Sequence, residues 1–308
     1  MRLEPTSEDE LRRTVETVRA CGGDKAKAAR QLDLGRTTVR KRLEQARKRG
    51  LLAPVFVSAS VGDDLRILVV PDGHDKPGFD QRRFSWIGRH IADTGPDQVK
   101  IMGDFSDLLS LCGHIPNESY TGKFKPEFIA DMASLKKALK ALVIPGPSYD
   151  YMIGNHENRL YLFEENTPEV YGLMRAEFEL ILEDLGVARH PFGEHHTVGQ
   201  TDFVHVPLSI MGRPIGGKLA STTIGRESTN DTVFAHTHRK GVHDTPKLGG
   251  GRITTVEAGC ALPWGYVEEF ARHSTTGWWW GVVELKLRAG RIQGVNFVPM
   301  YELEERYG

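Results

Sequence analysis

Leu65-Arg66-Ile67-Leu68-Val69-Val70-Pro71-Asp72-Gly73-His74 is an apolar run closed by proline and followed by two residues that can bind a metal. A short run rich in β-branched residues and bounded by Gly or Pro is how a strand covered on both faces reads. The same grammar recurs four times. Gln98 to Met102 runs into Gly103-Asp104-Phe105-Ser106-Asp107, and Tyr149 to Ile153 into Gly154-Asn155-His156-Glu157. Thr201 to Val204 precedes His205, and Thr232 to Ala235 precedes His236-Thr237-His238. In open α/β sheets, ligands collect beyond the carboxyl ends of strands. These five strands therefore predict one rim lined with imidazoles, carboxylates and an amide oxygen, donors suited to a first-row divalent metal. Any one of these histidines alone would more often cap or pack a loop. The ordered set would need five such coincidences.

In that order, Asp-x-His, Gly-Asp-x-x-Asp, Gly-Asn-His-Glu, His and x-His-x-His resemble the calcineurin-like metallophosphoesterase superfamily, over roughly residues 64 to 260. Three positions depart from its pattern. Ala235 stands where glycine is usual, Leu108 where many members carry arginine, and His205 is followed by Val206-Pro207 rather than glycine. The residues by themselves imply only an α/β fold with its site at the strand ends. The resemblance implies a four-layer αββα sandwich, two mixed sheets packed together with helices outside. It also implies two divalent metal ions, with Mn favoured and Fe, Zn or Ni compatible with the same donors. Asp72, His74, Asp104 and His238 would hold one ion; Asp104, Asn155, His205 and His236 would hold the other, with Asp104 bridging. Two metals about 3.5–4 Å apart can share a hydroxide and clamp an in-line displacement at phosphorus. His156 is expected to face the scissile phosphate and protonate the leaving oxygen. Asp107 and Glu157 are expected to orient the ligands or His156.

The first fifty residues read differently. Ser7-Glu8-Asp9-Glu10 is a capping box that opens a helix to about Cys21, with Leu11, Val15 and Val18 on one face. Gly22-Gly23 ends it, and Asp24 can cap a second helix from Lys25 to Leu32. A tight turn at Asp33-Leu34-Gly35 leads into a third, from Arg36 to about Arg49, with Val39 and Leu43 inward. Two short helices joined by a Gly-bearing turn read as helix-turn-helix. Gly22-Gly23-Asp24-Lys25 through Arg36-Thr37-Thr38-Val39 is similar to the Fis-type helix-turn-helix, a resemblance covering roughly residues 8 to 49. Residues 1–50 carry 14 Lys+Arg against 8 Asp+Glu, whereas the whole chain carries 40 against 41, leaving the remainder at −7. A basic head on an acidic body points to a polyanion, with Arg36, Thr37, Thr38, Arg40, Lys41 and Arg42 as candidate DNA contacts. The bland alternative is a solvated basic helix, or a helix-turn-helix used only to dimerise or to bind protein.

The organisation expected is a helix-turn-helix domain over 1–50, a linker over 51–64 and a catalytic domain over 65–308. Val55-Phe56-Val57 could instead add an edge strand. Cys21, Cys112 and Cys260 are odd in number and far apart, which argues against a disulfide framework and for a reducing compartment. No long apolar span or signal peptide is present, so a cytoplasmic protein without membrane partners is expected. His114, Lys123 and Lys125 lie in a stretch read as surface loop, and His195 and His196 as turn residues. Val256 to Cys260 is read as closing the site wall. Trp278-Trp279-Trp280 begins a C-terminal hairpin turning at Arg288-Ala289-Gly290-Arg291, its tryptophans packing or, less simply, offering a stacking platform for bases.

The leading functional expectation is a metal-dependent phosphodiesterase acting on DNA, delivered by its head and able to act as a homodimer. Two others stay open: a phosphomonoesterase for phosphoprotein or nucleotide, and a DNA-binding regulator with an inactive body. The last predicts missing ligands, and none is missing. A head and an enzyme on one short chain would suit a compact genome such as a bacteriophage's.

Overall fold

A computed structural model describes residues 6–20, 25–48, 64–111, 124–268, 271 and 277–308. The expectations for Cys21, Asp24, Cys112, His114, Lys123, the linker and Val55-Phe56-Val57 lie outside the described residues, as does the Lys125 side chain. The chain divides into two units, Met1–Phe56 and Val57–Gly308.

In the first unit, α1 (Glu8–Ala20) starts at the expected capping box. Ser7 N donates to Glu10 Oε2 at 3.0 Å, and Glu10 N donates to Ser7 Oγ at 3.2 Å. Two of the helix's unpaired first-turn donors are thereby satisfied. α2 (Lys25–Leu32) and α3 (Arg36–Lys48) are joined by a turn in which Asp33 is left-handed and Leu34 N donates to Ala29 O. Leu11, Val15, Ala28, Ala29, Val39 and Ala46 are buried, and Leu43 spans both small apolar clusters. The small residues of α2 let the three helices approach closely. Arg42 pairs with Glu10 at 2.8 Å, tying α3 to α1.

The second unit grows from parallel β-α-β crossovers. β1 (Leu65–Val70), β2 (Gln98–Ile101), β3 (Ser148–Met152) and β4 (Val187–His190) alternate with α4 (Arg82–Thr94), α5 (Phe124–Leu142), α6 (Asn155–Asn166) and α7 (Met174–Asp184). β5 (His196–Val198), β6 (Thr201–Val204), α8 (Ala220–Glu227), β7 (Asp231–Phe234), β8 (Lys240–Pro246) and β9 (Arg252–Ala258) follow. The chain ends with β10 (Gly281–Arg288), β11 (Arg291–Pro299) and α9 (Met300–Tyr307). Lys125 therefore opens a helix rather than sitting in a loop.

The strands form two mixed sheets, in the orders β11-β10-β1-β2-β3-β4 and β5-β6-β7-β9-β8. Side-chain alternation assigns the layers. Ile67 and Val69 of β1 pack with Val198, Phe203, Val233 and Val256 between the sheets. Leu68 and Val70, one residue out of phase, pack against Phe84 and Ile87 of α4 and Leu135 and Leu139 of α5. Val204 and Phe234 turn outward onto Ala220 and Ile224 of α8. The result is the expected four-layer αββα sandwich. The C-terminal hairpin forms as read, with Ala289 and Gly290 both left-handed in its two-residue turn. Trp279 joins the core between the sheets, and Trp280 packs beneath the helices. Among the described residues no helix is long and apolar enough to cross a membrane.

Candidate metal centre

The five ligand-bearing loops meet, but across two sheets rather than on the rim of one. β1, β2 and β3 deliver Asp72-Gly73-His74, Gly103 to Asp107 and Asn155-His156; β6 and β7 of the other sheet deliver His205 and His236-Thr237-His238. Face-to-face packing of the sheets brings the two sets of strand ends together. Backbone hydrogen bonds lace the loops: His74 N donates to Asp104 O at 2.9 Å, Asp75 N to Phe105 O at 2.7 Å and Ala235 N to His205 O at 2.9 Å. The stretch after β9 closes this wall, where Ala261 N donates to Asp72 O at 2.9 Å.

Local strain concentrates here. Seven non-glycine residues among those described have positive φ, and four of them are His74, Asp104, His236 and His238. Such conformations cost on the order of 1–3 kcal/mol each and persist where surrounding structure over-determines them. Gly154 shows the over-determination, since a Cβ there would overlap the backbone N and Oδ1 of Asp104.

Donors converge in overlapping groups, each within reach of a single ion. Asp72, His74 and His238 form the first, Asp104, His205 and His236 the second, and His74 joins Asp107 and His156 in a third. In the first, His74 Nε2 and His238 Nε2 lie 3.0 Å apart, and His238 Nε2 is 3.1 Å from Asp72 Oδ2. In the second, His205 Nε2 is 3.3 Å from Asp104 Oδ2, and Asn155 Oδ1 lies 3.0 Å from His205 Nε2 and 2.9 Å from His236 Nδ1. The other ring nitrogens are anchored. His205 Nδ1 donates to the Met102 carbonyl at 2.8 Å, so Nε2 is the ring nitrogen turned toward the Asn155 oxygen. His74 Nδ1 meets Asp107 Oδ1 at 2.6 Å. Such outer contacts fix tautomer and ring orientation in metal sites.

The charge balance fits a cation. Asp72, Asp104 and Asp107 are all buried, and Asp72 Oδ1 has no hydrogen-bond partner. Burial disfavours a charged ring, yet Asp107 lifts the His74 pKa to about 9, and Asp104 does the same for His205. Burial opposes Asp107 too, but His74 and Lys76 hold it well below the usual carboxylate range. The site thus demands positive charge, which bound protons or divalent ions can supply.

Glu157 is a joint. Its Oε2 accepts from Asp104 N at 2.9 Å and Gly154 N at 3.0 Å; its Oε1 accepts from Ser106 N at 3.1 Å and the Tyr151 hydroxyl at 2.7 Å. The second loop is thereby locked to the start of α6. His156, half-buried like Asn155 and His236, lies with Nδ1 3.1 Å from the Asp107 carbonyl and Nε2 3.8 Å from Asp104 Oδ2. Burial pushes its pKa down to about 4.

Residues 15–45 match the family model "Bacterial regulatory protein, Fis family". The helix-turn-helix resemblance of the head is therefore borne out. No curated protein matches the chain. Among solved structures, Vps29 of Entamoeba histolytica complexed with zinc is 14% identical with a TM-score of 0.31, covering 77% of this chain and 99% of that one. The 5'-nucleotidase precursor of Thermus thermophilus is 11% identical with a TM-score of 0.34; the match covers 79% of this chain and 57% of that one.

In the head, Arg36, Thr37, Thr38, Arg40 and Lys41 are exposed on α3, while Arg42 is engaged by Glu10. Several supporting residues escaped the sequence reading. Lys76 joins Asp107 at 3.1 Å to Glu268 at 2.8 Å. Arg83 is buried and holds the Gly73 carbonyl at 2.8 Å and the Ala261 carbonyl at 3.1 Å. Its signal was an arginine on the apolar face of α4. Trp278 stacks edge-on against His238, ring centroids 4.3 Å apart. His195 meets Asp202 at 3.2 Å, and His196 joins a separate cluster with Asp150, His190 and Lys100.

Proposed function

We propose that the protein is a dinuclear-metal-dependent phosphoesterase of the calcineurin-like kind that hydrolyses phosphodiester bonds in DNA, and that its head (1–50) binds DNA. The convergence of seven candidate ligand side chains from five loops, among them a buried Asp72 with one carboxylate oxygen left without a hydrogen bond, carries the reading. Asp72, His74, Asp104 and His238 would hold one ion, and Asp104, Asn155, His205 and His236 the other. When bound, two such ions supply Lewis acidity toward phosphate oxygens and acidify water. Manganese is the ion we favour.

The chain's own residues set the stage for this chemistry. Asp107 and the Met102 carbonyl turn His74 and His205 so that Nε2 of each faces inward. Glu157 holds the loop that carries Asp104. With His156 Nδ1 at the Asp107 carbonyl, the proton it can give is the one at Nε2. A neighbouring phosphate would favour protonation there, because an opposite charge stabilises imidazolium. That proton would pass to the leaving oxygen.

The test is a cleavage assay with manganese-loaded protein on circular single-stranded DNA, linear duplex DNA and 4-nitrophenyl phosphate, with Asp104→Asn as control. DNA cleavage lost in the variant is the expected result. Turnover of the monoester with DNA left intact would overturn the nuclease reading in favour of a phosphatase.

A further inference from the structure

Beside His236 opens a cavity of about 510 Å³ lined by Gly216, Gly217, Lys218, Thr237, Arg239 and Gly277. The β6–α8 loop contributes Gly216, Gly217 and Lys218; the turn after β7 contributes Thr237 and Arg239, and Gly277 precedes β10. We infer that this cavity is a subsite for a second phosphate carried by the same substrate molecule, next to the one being cleaved. The inference rests on the phosphoesterase reading and names a substrate feature which that reading leaves open.

The charges decide it. Cations around the candidate metal centre are already committed: Lys76 to Asp107 and Glu268, Arg83 to the Gly73 and Ala261 carbonyls, Arg159 to the Asp107 carbonyl. Lys218 and Arg239 differ. Among the described residues neither pairs with a carboxylate, and the contact of Arg239 with the Gly217 carbonyl is long, at 3.5 Å. The carboxylate that meets the lining residue Thr237, that of Glu257, accepts from Thr237 Oγ1 and, at 3.0 Å, from Ser221 Oγ. Two unpaired cations on one cavity select an anion, and guanidinium suits phosphate geometry in particular.

The wall also leaves room. A Cβ at Gly216 or Gly217 would meet nothing within 4 Å, so the backbone there borders open space. Gly217 and Gly277 sit at φ +79 and +64, conformations that glycine adopts at no steric cost. Bare backbone and two cations adjoining a candidate metal ligand make a place for a phosphate of the same substrate. Two sources share that chemistry: the neighbouring backbone phosphate of a nucleic-acid strand, and the second phosphate of a nucleoside diphosphate.

The experiment measures dissociation constants by calorimetry on the full chain, with and without manganese. The probes are thymidine 5'-monophosphate, thymidine 3',5'-bisphosphate and thymidine 5'-diphosphate. The bisphosphate is expected to bind at least about tenfold more tightly than the monophosphate, the order of one charge-assisted hydrogen bond. That ratio should shrink in Lys218→Ala and in Arg239→Gln, each of which keeps the backbone unchanged, and approach one in the double variant. A gain for the 5'-diphosphate instead would keep the second-phosphate site and assign it to nucleotides. A ratio near one in the unmodified protein, or a ratio unmoved by both substitutions, would overturn the subsite. Failure to hydrolyse bis(4-nitrophenyl) phosphate with any divalent metal would instead overturn the phosphoesterase reading, while the affinity ratio would still report on the cavity.

Discussion

Acid should destabilise this protein in part through a histidine that lies away from the candidate metal centre. His196 sits between the sheets with Nε2 3.2 Å from Lys100 Nζ, and Lys100 is itself 2.5 Å from Asp150. His190 completes the cluster, its ring centroid 4.0 Å from that of His196. Burial, then the Lys100 ammonium, pushes the His196 pKa down to about 3. Protonating it would set two cations almost in contact. The unfolded chain has no such penalty and takes up a proton near the ordinary value of about 6.5. Below that pH the unfolded state binds a proton that the folded state refuses. The fold therefore loses stability as pH falls from about 6.5 toward 3, at about 1.4 kcal/mol per pH unit. At pH 5 the loss is about 2 kcal/mol. Asp150, with its pKa depressed chiefly against burial by His190 and Lys100, adds its own loss only at lower pH, below the usual carboxylate value. His156, its pKa pushed down to about 4 by burial, acts in the same sense as His196, whereas His74 and His205 act in the opposite one, since their raised pKa values favour the folded state in acid. A difference measurement removes them. Urea unfolding of metal-free protein and of His196→Gln at pH 7, 6 and 5 should show the unmodified chain losing about 2 kcal/mol more than the variant over that span. Parallel stability curves would refute the argument, because they would mean that His196 titrates normally in the fold.

Three further outcomes are expected. Asp107→Asn removes the carboxylate that holds His74 Nδ1 at 2.6 Å, and metal titration should show affinity weakened by about 10–100-fold. Unchanged affinity would show that His74 needs no such support. Glu157→Gln places an amide NH₂ against at least one of the backbone N–H groups of Asp104, Gly154 and Ser106, leaving a buried donor unpaired. Denaturant melts should record a loss of about 1–3 kcal/mol, and a neutral effect would mean that the loop finds other acceptors. In the head, Arg40→Ala or Lys41→Ala should weaken duplex DNA binding and reduce the salt dependence by about one unit of slope each. A slope that stays fixed while affinity falls would assign those residues to something other than phosphate contact.

How much of this was legible follows from where the information lies. The strands that deliver Asp72, Asp104, Asn155, His205 and His236 start and stop within a residue or two of the positions read from sequence. Both signals there are local: apolar β-branched runs that two covered faces demand, and a Gly, Pro or ligand residue where the strand must end. The three helices of the head were legible for the same reason, through a capping box and small-residue spacing. Sheet membership was not legible. Nothing within Thr201 to Val204 says that β6 belongs to a different sheet from β1; β10 pairs beside β1 from more than 200 positions away, and that long-range pairing sets the layers.

The cluster at His196 was hidden by the same limit, although it left traces. Lys100 interrupts Gln-Val-Lys-Ile-Met, and Asp150 interrupts Tyr-Asp-Tyr-Met-Ile, two charges inside runs otherwise fit for burial. A buried charge must be paired or it neutralises. Each interruption alone reads as a strand edge touching water. Only the parallel register of β2 against β3, which sets Lys100 directly opposite Asp150, turns two anomalies into one ion pair. His190 and His196 then arrive from the next strand and the facing sheet to complete it. The candidate metal ligands escaped this ambiguity because each sits at a strand end, where the fold itself gathers residues without any register being known. A charged residue within a strand has no such guide, so a buried network in the body of a sheet stays invisible until pairing is known, while a site at its rim can be read from the chain.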